Sequence, residues 1–406
     1  MNNRPTKKRI LTLEQMLKQA DQFGDVYTAL QQKIFYILID GFKRLRPKLI
    51  EAEDDPQKIL EWRLAALSQM GGLTDKIIKF VSKQTGESER AIYAIIQQNG
   101  IRVTKQMNRQ LSKTLKKPVH DVNQNTMNIV SSYAAQTFRE INNNVNQSLL
   151  SRNYRRNPAL RTYQKIVNKT VLDVSVGKKT ARKALNDSLG QMYNSGMGLT
   201  ITDRAGNQRS VESYVRTTMN TTVARTYNDA RMSSMKDYDT VLAVMTSHPA
   251  ARPACSEIQG QVVCVVSTFD DRYVDGYPSI YDYGYGEPSG CFGINCGHSL
   301  IPYVEGVTTN TQKQYDPEKA VANEKVRNKQ RYMQRQIRNK KMQLALAKHA
   351  GDDEKVGQIK SSIRGYQGKV RKIVNDHGFL ARERSYEQVS SATIQKVLDD
   401  SDAENS

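Results

Sequence analysis

All four cysteines of the chain, Cys255, Cys264, Cys291 and Cys296, lie in one short span together with His248 and His298. Thiolates and imidazoles are the ligands that hold zinc in tetrahedral sites. In the run NCGHSL, Cys296 and His298 are two residues apart. An extended backbone would therefore place both on one face, with His248 and Cys255 able to complete a four-ligand set of His248, Cys255, Cys296 and His298. No Cys-x-x-Cys pair is present, so the spacing alone does not identify a zinc motif. A second reading stays open, in which the cysteines are small buried apolar residues and the histidines tie loops together by hydrogen bonds. The same residues could serve as a nucleophile and base, but that chemistry needs a third group and an oxyanion hole that no motif announces. His248 is followed by Pro249 and Ala250, so the deaminase pattern is missing. Phosphate-binding glycine loops, Gly-x-Ser-x-Gly and His-Glu-x-x-His are missing too. No enzyme is expected, and no cofactor other than zinc.

The same window, GYGEPSGCFGINCGHSLIPYVEG from Gly284 to Gly306, concentrates glycines. Glycine and proline set turns there, and the tyrosines of RYVDGYPSIYDYGYG supply contact area with a polar tip. Around it, TVLAVMTSH alternates and is β-branched, and QGQVVCVVST is a second strand candidate. A compact mixed α+β domain is expected over residues 240–310.

The rest of the chain reads as helix. Asp55 is placed as an N-cap with Pro56 behind it, and Gly71 is placed as a C-cap. Thr74 and Ser88 are expected to begin two further short helices, each closed by a glycine. Long helical patterns run from Asp121 to Leu149 and from Pro158 to Met192. GLTITDRAGNQRSV reads as a hairpin around Ala205, Gly206 and Asn207, with Ser210 capping the helix that follows. The expected fold is mainly α with a small α+β domain. It comprises an N-terminal helical region (1–156), a central helical region with the hairpin (157–239), the Cys/His/Gly-rich domain (240–310) and a C-terminal helical arm (311–406) with an acidic frayed tail.

Lys and Arg number 61 against 41 Asp and Glu, a formal net charge of +20, which points to phosphate backbones or anionic surfaces as partners. The longest apolar run, IFYILI at Ile34–Ile39, is too short to cross a bilayer, and the first residues have no signal-peptide pattern. A cytoplasmic origin without membrane contact is expected. Arg327, Arg331, Arg335 and Arg338 recur on one helix face and are followed by Lys340 and Lys341. Such a ridge tracks duplex phosphates without reading bases; the alternative is a face paired with acidic residues of a neighbouring subunit.

The runs SHPAARPAC, QGQVV, YGEPSGCFGINCGHSLIPYVEGV and RNKQRYMQRQIRNKKM resemble the minor capsid protein 2 family of tailed bacteriophages, mostly of Gram-positive hosts. A weaker likeness extends over the helical first half, around Trp62 and through VRTTMNTTVARTYNDARM. Between the cysteine and the histidine of the Gly-Ile-Asn-Cys-x-His block the family usually has arginine, where this chain has Gly297. The family is also poorer in cysteine, so the positions carried over are His248, Cys296 and His298. The resemblance implies a structural head component at the portal vertex or capsid interior, present in few copies. Its implied partners are portal, scaffold or major capsid protein and the genomic double-stranded DNA, bound non-specifically. It would be made in the bacterial cytoplasm and carried in the virion. A virion-delivered enzyme of the ADP-ribosyltransferase kind and a free nucleic-acid-binding protein are the alternatives. On this reading the glycines, cysteines and histidines fix a tight structural domain, held by a Cys/His clasp or a metal.

Overall fold

The computed structural model describes residues 10–402 except 154, 195–198, 203–205, 207 and 389–390. The fold is mainly α with small antiparallel sheets. In chain order the elements are α1 (Leu13–Glu51), α2 (Pro56–Ser68), α3 (Met70–Tyr93), a π turn (Ala94–Gln98), α4 (Asn99–Leu115) and α5 (Gln124–Ile141). A second π turn (Asn142–Asn146), α6 (Gln147–Leu150), α7 (Pro158–Ser175), α8 (Ala181–Asn194), β1 (Thr200–Thr202) and β2 (Gln208–Ser210) follow. Then come α9 (Val211–Asp237), β3 (Leu242–Met245), α10 (Pro253–Ser256), β4 (Val262–Cys264), a 3₁₀ turn (Ile280–Tyr283) and β5 (Leu300–Pro302). The chain finishes with α11 (Pro317–Ala350), α12 (Asp353–Asp376), a 3₁₀ turn (Arg384–Glu387) and α13 (Ser391–Asp402).

Two compact units are formed. The first gathers the segment ending at Phe23, Glu89–Arg139 and Arg216–Arg327; the second gathers Gly24–Ser88, Glu140–Val215 and the segment starting at Asn328.

In the second unit the expected cap is present. The Asp55 carboxylate accepts from the backbone N–H groups of Gln57 and Lys58, and Pro56 opens α2. Trp62 is buried with its indole N–H on the Leu45 carbonyl at 2.9 Å, so its one polar atom is satisfied where its large surface is hidden. Asn157 caps α7 in the same way as Asp55 caps α2. Asp173 near the end of α7 binds Lys169 at 3.0 Å and Lys179 at 3.3 Å, and Lys179 also reaches Asp187 of α8 at 2.8 Å.

The glycines of the N-terminal half do not end helices as their spacing predicts. Gly71 and Gly86 lie inside α3, and Gly100 lies inside α4. A glycine within a helix costs only about 1 kcal/mol, which a buried face easily outweighs. Gly100 is retained for space: a Cβ there would sit 2.6 Å from Val130 Cγ1 and 3.0 Å from Thr226 Cγ2, where α4, α5 and α9 converge. Thr74 and Ser88 are likewise not caps, since each hydroxyl bonds the carbonyl four residues earlier in the helix.

β1 and β2 form the expected hairpin ladder, while Ala205 and Asn207 at its tip lie outside the described residues. Ser210 Oγ accepts from the Ser213 N–H and so caps α9. In the first unit β3 is the centre of a three-stranded antiparallel sheet of order β4-β3-β5. The strand β5 is not anticipated by alternation, being three residues long and ending in Pro302. The acidic end of the chain is helical through Asp402, and residues 403–406 lie outside the described residues. Among the described residues no helix is long and apolar enough to cross a membrane.

Candidate functional site

The register of the sheet assembles the Cys/His cluster. Met245 of β3 pairs with Leu300 of β5, and the pairing continues as the Thr246 N–H bonds the Ser299 carbonyl at 2.9 Å. His248 and His298, just past these ends, are thereby brought side by side with ring centroids 4.6 Å apart. The short helix α10, opened by Pro253, delivers Cys255 to the same place. The Cys255 and Cys296 sulfurs are 3.9 Å apart, and Cys296 Sγ is 3.3 Å from His298 Nδ1. The ligand atoms of Cys255, Cys296 and His298 all lie within 4.8 Å of one another, and all three residues are buried.

The other members of the sequence cluster make their own polar contacts or lie in the sheet. His248 turns its Nε2 to the Gly297 carbonyl at 3.2 Å. Burial, together with the neighbouring His298, pushes its pKa down to about 4. Cys291 donates to the Ile280 carbonyl at 3.2 Å, and burial raises its thiol to about 12. Cys264 is buried in β4. Within the close pair, the hydrogen bond between the two sulfurs lowers the Cys296 pKa and raises that of Cys255; His298 adds to the lowering.

One residue of the cluster has no sequence signal. Gln259 is buried, and its Oε1 faces the backbone N–H of His248 at 2.9 Å and His298 Nε2 at 3.1 Å. A backbone N–H can only donate, so the atom facing it is the carboxamide oxygen, and His298 Nε2 must carry a proton. The other ring nitrogen, Nδ1, is the one that faces Cys296 Sγ. Cys296, His298 and Gln259 have the connectivity of a nucleophile, a base and an orienting carboxamide. The thiol, however, is 5% exposed and has a second thiol beside it. The arrangement therefore suits a clasp or a metal better than attack on a substrate carbonyl.

The segment around these residues is clamped by α9. Asn228 donates to the His298 carbonyl and accepts from the Leu300 N–H, Arg231 donates to the Leu300 carbonyl, and Thr221 accepts from the Asn295 N–H. Arg225 reaches the Gly286 carbonyl at 2.6 Å. Asp229 takes hydroxyl hydrogen bonds from Tyr133 and Tyr285, each at 2.5 Å, and burial raises its pKa. The glycines allow the approach. Gly284 has φ of 66°, and a Cβ on Gly290 would lie 1.9 Å from the Gly284 carbonyl oxygen.

The basic ridge is placed differently from a bare cationic face. After α12 the chain returns as a strap that runs parallel with α11. Gln330 donates to the Ala381 carbonyl, Gln334 to that of Glu383, Arg338 to that of Tyr386, and Lys341 to the Gln388 side chain. Arg331 pairs with Glu383 at 3.3 Å and lies over the Tyr386 ring at 3.5 Å. Arg338 is buried on Glu212 at 2.7 Å. Arg335 is exposed, while Arg327, Lys340 and Lys341 are half-buried. On α12, by contrast, Lys360, Arg364, Arg371 and Lys372 are exposed. Lys360, Arg364 and Arg371 fall within about 40° of one another around the helix axis and span about 16 Å along it.

No solved structure matches the chain. A structural protein of Lactococcus phage LL-H is 46% identical over 360 residues, covering 89% of this chain and 96% of that protein. A structural protein of Lactococcus phage mv4 is 46% identical over 122 residues, covering 30% of this chain and 99% of that protein. The family profile described as phage minor capsid protein 2 matches residues 11–375, which takes in both units, the Cys/His cluster and both long C-terminal helices. The chain therefore belongs to the phage minor capsid protein 2 family.

Proposed function

We propose that the chain is a structural component of a tailed-phage head. It joins assembly in the host cytoplasm and is carried in few copies at the portal vertex or capsid interior. Its helices meet portal, scaffold or major capsid protein, and its C-terminal helices touch the packaged duplex without reading sequence. The observation that carries this reading is the family match over residues 11–375, joined by 46% identity to a phage structural protein over nearly its whole length. A structural role rather than an enzymatic one is supported by the burial of Cys255, Cys296 and His298. DNA contact is supported by the net charge of +20 and by the exposed cations of α12 with Arg335 beside the strap. Arg331 and Arg338, held by Glu383, Tyr386 and Glu212, serve the packing of the arm.

The test is quantitative mass spectrometry of gradient-purified virions beside DNA-free procapsids. A few copies per particle in both support a head component, and absence from both overturns it. For the DNA contact, duplex binding is followed against salt with the triple variant Lys360→Ala, Arg364→Ala, Arg371→Ala. Each lost phosphate contact removes about 0.9 from the slope of log affinity against log salt, so the variant should lose roughly 3. An unchanged slope rules out this face.

A further inference from the structure

We propose that Cys255, Cys296 and His298 bind one zinc ion, which fastens α10 to the chain entering β5. The geometry is that of a ligand set rather than a chance meeting of buried residues. Two sulfurs 3.9 Å apart and an imidazole nitrogen 3.3 Å from one of them are spaced as ligands around a single ion with metal–ligand bonds of about 2.0–2.3 Å. The three come from separate places, α10 and the two sides of Gly297, and no disulfide joins the sulfurs.

The second shell is present as well. Histidines that ligate metals usually donate their other ring N–H to an oxygen that fixes tautomer and orientation. Gln259 Oε1 does this for His298 Nε2 at 3.1 Å, and the His248 backbone N–H in turn fixes that carboxamide at 2.9 Å. Asn228 holds the His298 backbone from the opposite element.

Charge favours the same ion. On binding, each thiol gives up its proton to solvent and each sulfur lone pair forms a bond to the metal, with no redox change. Two thiolates and a divalent ion sum to zero, which suits a buried site better than an uncompensated charge. Soft sulfur with imidazole selects zinc over magnesium or calcium. Cys264, buried in β4, and Cys291, whose thiol bonds the Ile280 carbonyl, are internal controls.

The experiment uses the full chain expressed with zinc and purified without chelator. Elemental analysis should find about one zinc per chain, and cobalt substitution should give a thiolate-to-cobalt charge-transfer band. Cys255→Ser and Cys296→Ser should lose both signals, whereas Cys264→Ser and Cys291→Ser keep them. Because the first two variants could fail to fold, the unmodified chain is also melted with and without EDTA, and chelation should lower Tm by about 5 °C or more. Metal below about a tenth of an equivalent overturns the proposal. Thiol titration of that metal-free protein then says what replaces it: four reactive thiols after unfolding leave an unmetallated clasp, and two leave a Cys255–Cys296 disulfide.

Discussion

Replacing Gly290 by alanine puts a methyl carbon 1.9 Å from the Gly284 carbonyl oxygen, 2.7 Å from its carbonyl carbon and 3.0 Å from its Cα. These are backbone atoms, so no side-chain rotation relieves the overlap. Reaching an ordinary contact of about 3.4 Å requires the two arms of the loop to part by roughly 1.5 Å. The arms are joined by the Gly286 N–H to Cys291 carbonyl bond and the Cys291 N–H to Tyr283 carbonyl bond, both 2.9 Å. A shift of that size breaks both. At about 1 kcal/mol each, with the further cost of leaving buried groups unpaired, the loss comes to about 3 kcal/mol. For a unit of this size that lowers Tm by about 6 to 12 °C. Gly297→Ala is the control, because a Cβ there meets nothing within 4 Å. Differential scanning fluorimetry of both variants, with hydrogen exchange over residues 280–298, tests the reasoning. Melting of Gly290→Ala within about 1 °C of the unmodified chain would refute it, as would an equal loss in Gly297→Ala.

Arg338→Met removes the buried partner of Glu212 and should cost about 3–5 kcal/mol, while the double variant with Glu212→Gln should recover much of it; urea melts of the cycle check this. Asp173 is held below its usual pKa, first by Lys169 and then by Lys179. Its contribution to stability is therefore present above about pH 4, the unfolded value, and is lost as pH falls through the lower folded value. Asp173→Asn should melt earlier than the unmodified chain at pH 7, and the two curves should converge on acidification. Trp62→Ala empties the largest fully buried side chain of the second unit and should cost about 3–5 kcal/mol, seen as a loss of Tm.

What the sequence discloses is mostly local. Asp55 with Pro56, and Ser210 before α9, are legible because a cap and its helix lie within three residues. β3 and β4 are legible because alternating and β-branched apolar runs there are bounded by polar and glycine residues, whereas β5 ends in Pro302 and is defined only by its partner. Gly71, Gly86 and Gly100 mislead because local propensity suggests helix ends where packing carries the helices on. Arg331, Arg335 and Arg338 do lie along one helix, yet what holds Arg331 and Arg338 comes from Glu383 and Tyr386, some 50 residues on, while Arg335 stays exposed. Within the Cys/His span, composition marks the region. The selection of Cys255, Cys296 and His298, with Gln259 behind them, follows from the β3–β5 register and α10, which no spacing records.

The strap has a consequence for the arm's electrical character. The family match stops at residue 375, and the residues that blanket α11 begin only after that point. A chain cut after Asp376 would keep both long helices but would strip Glu383 and the Tyr386 ring from Arg331, and the Tyr386 carbonyl from Arg338. Shortening this protein would thus leave Arg331 without its acidic and aromatic partners next to the exposed Arg335, while Arg338 keeps Glu212, so α11 would present a larger uncompensated positive field.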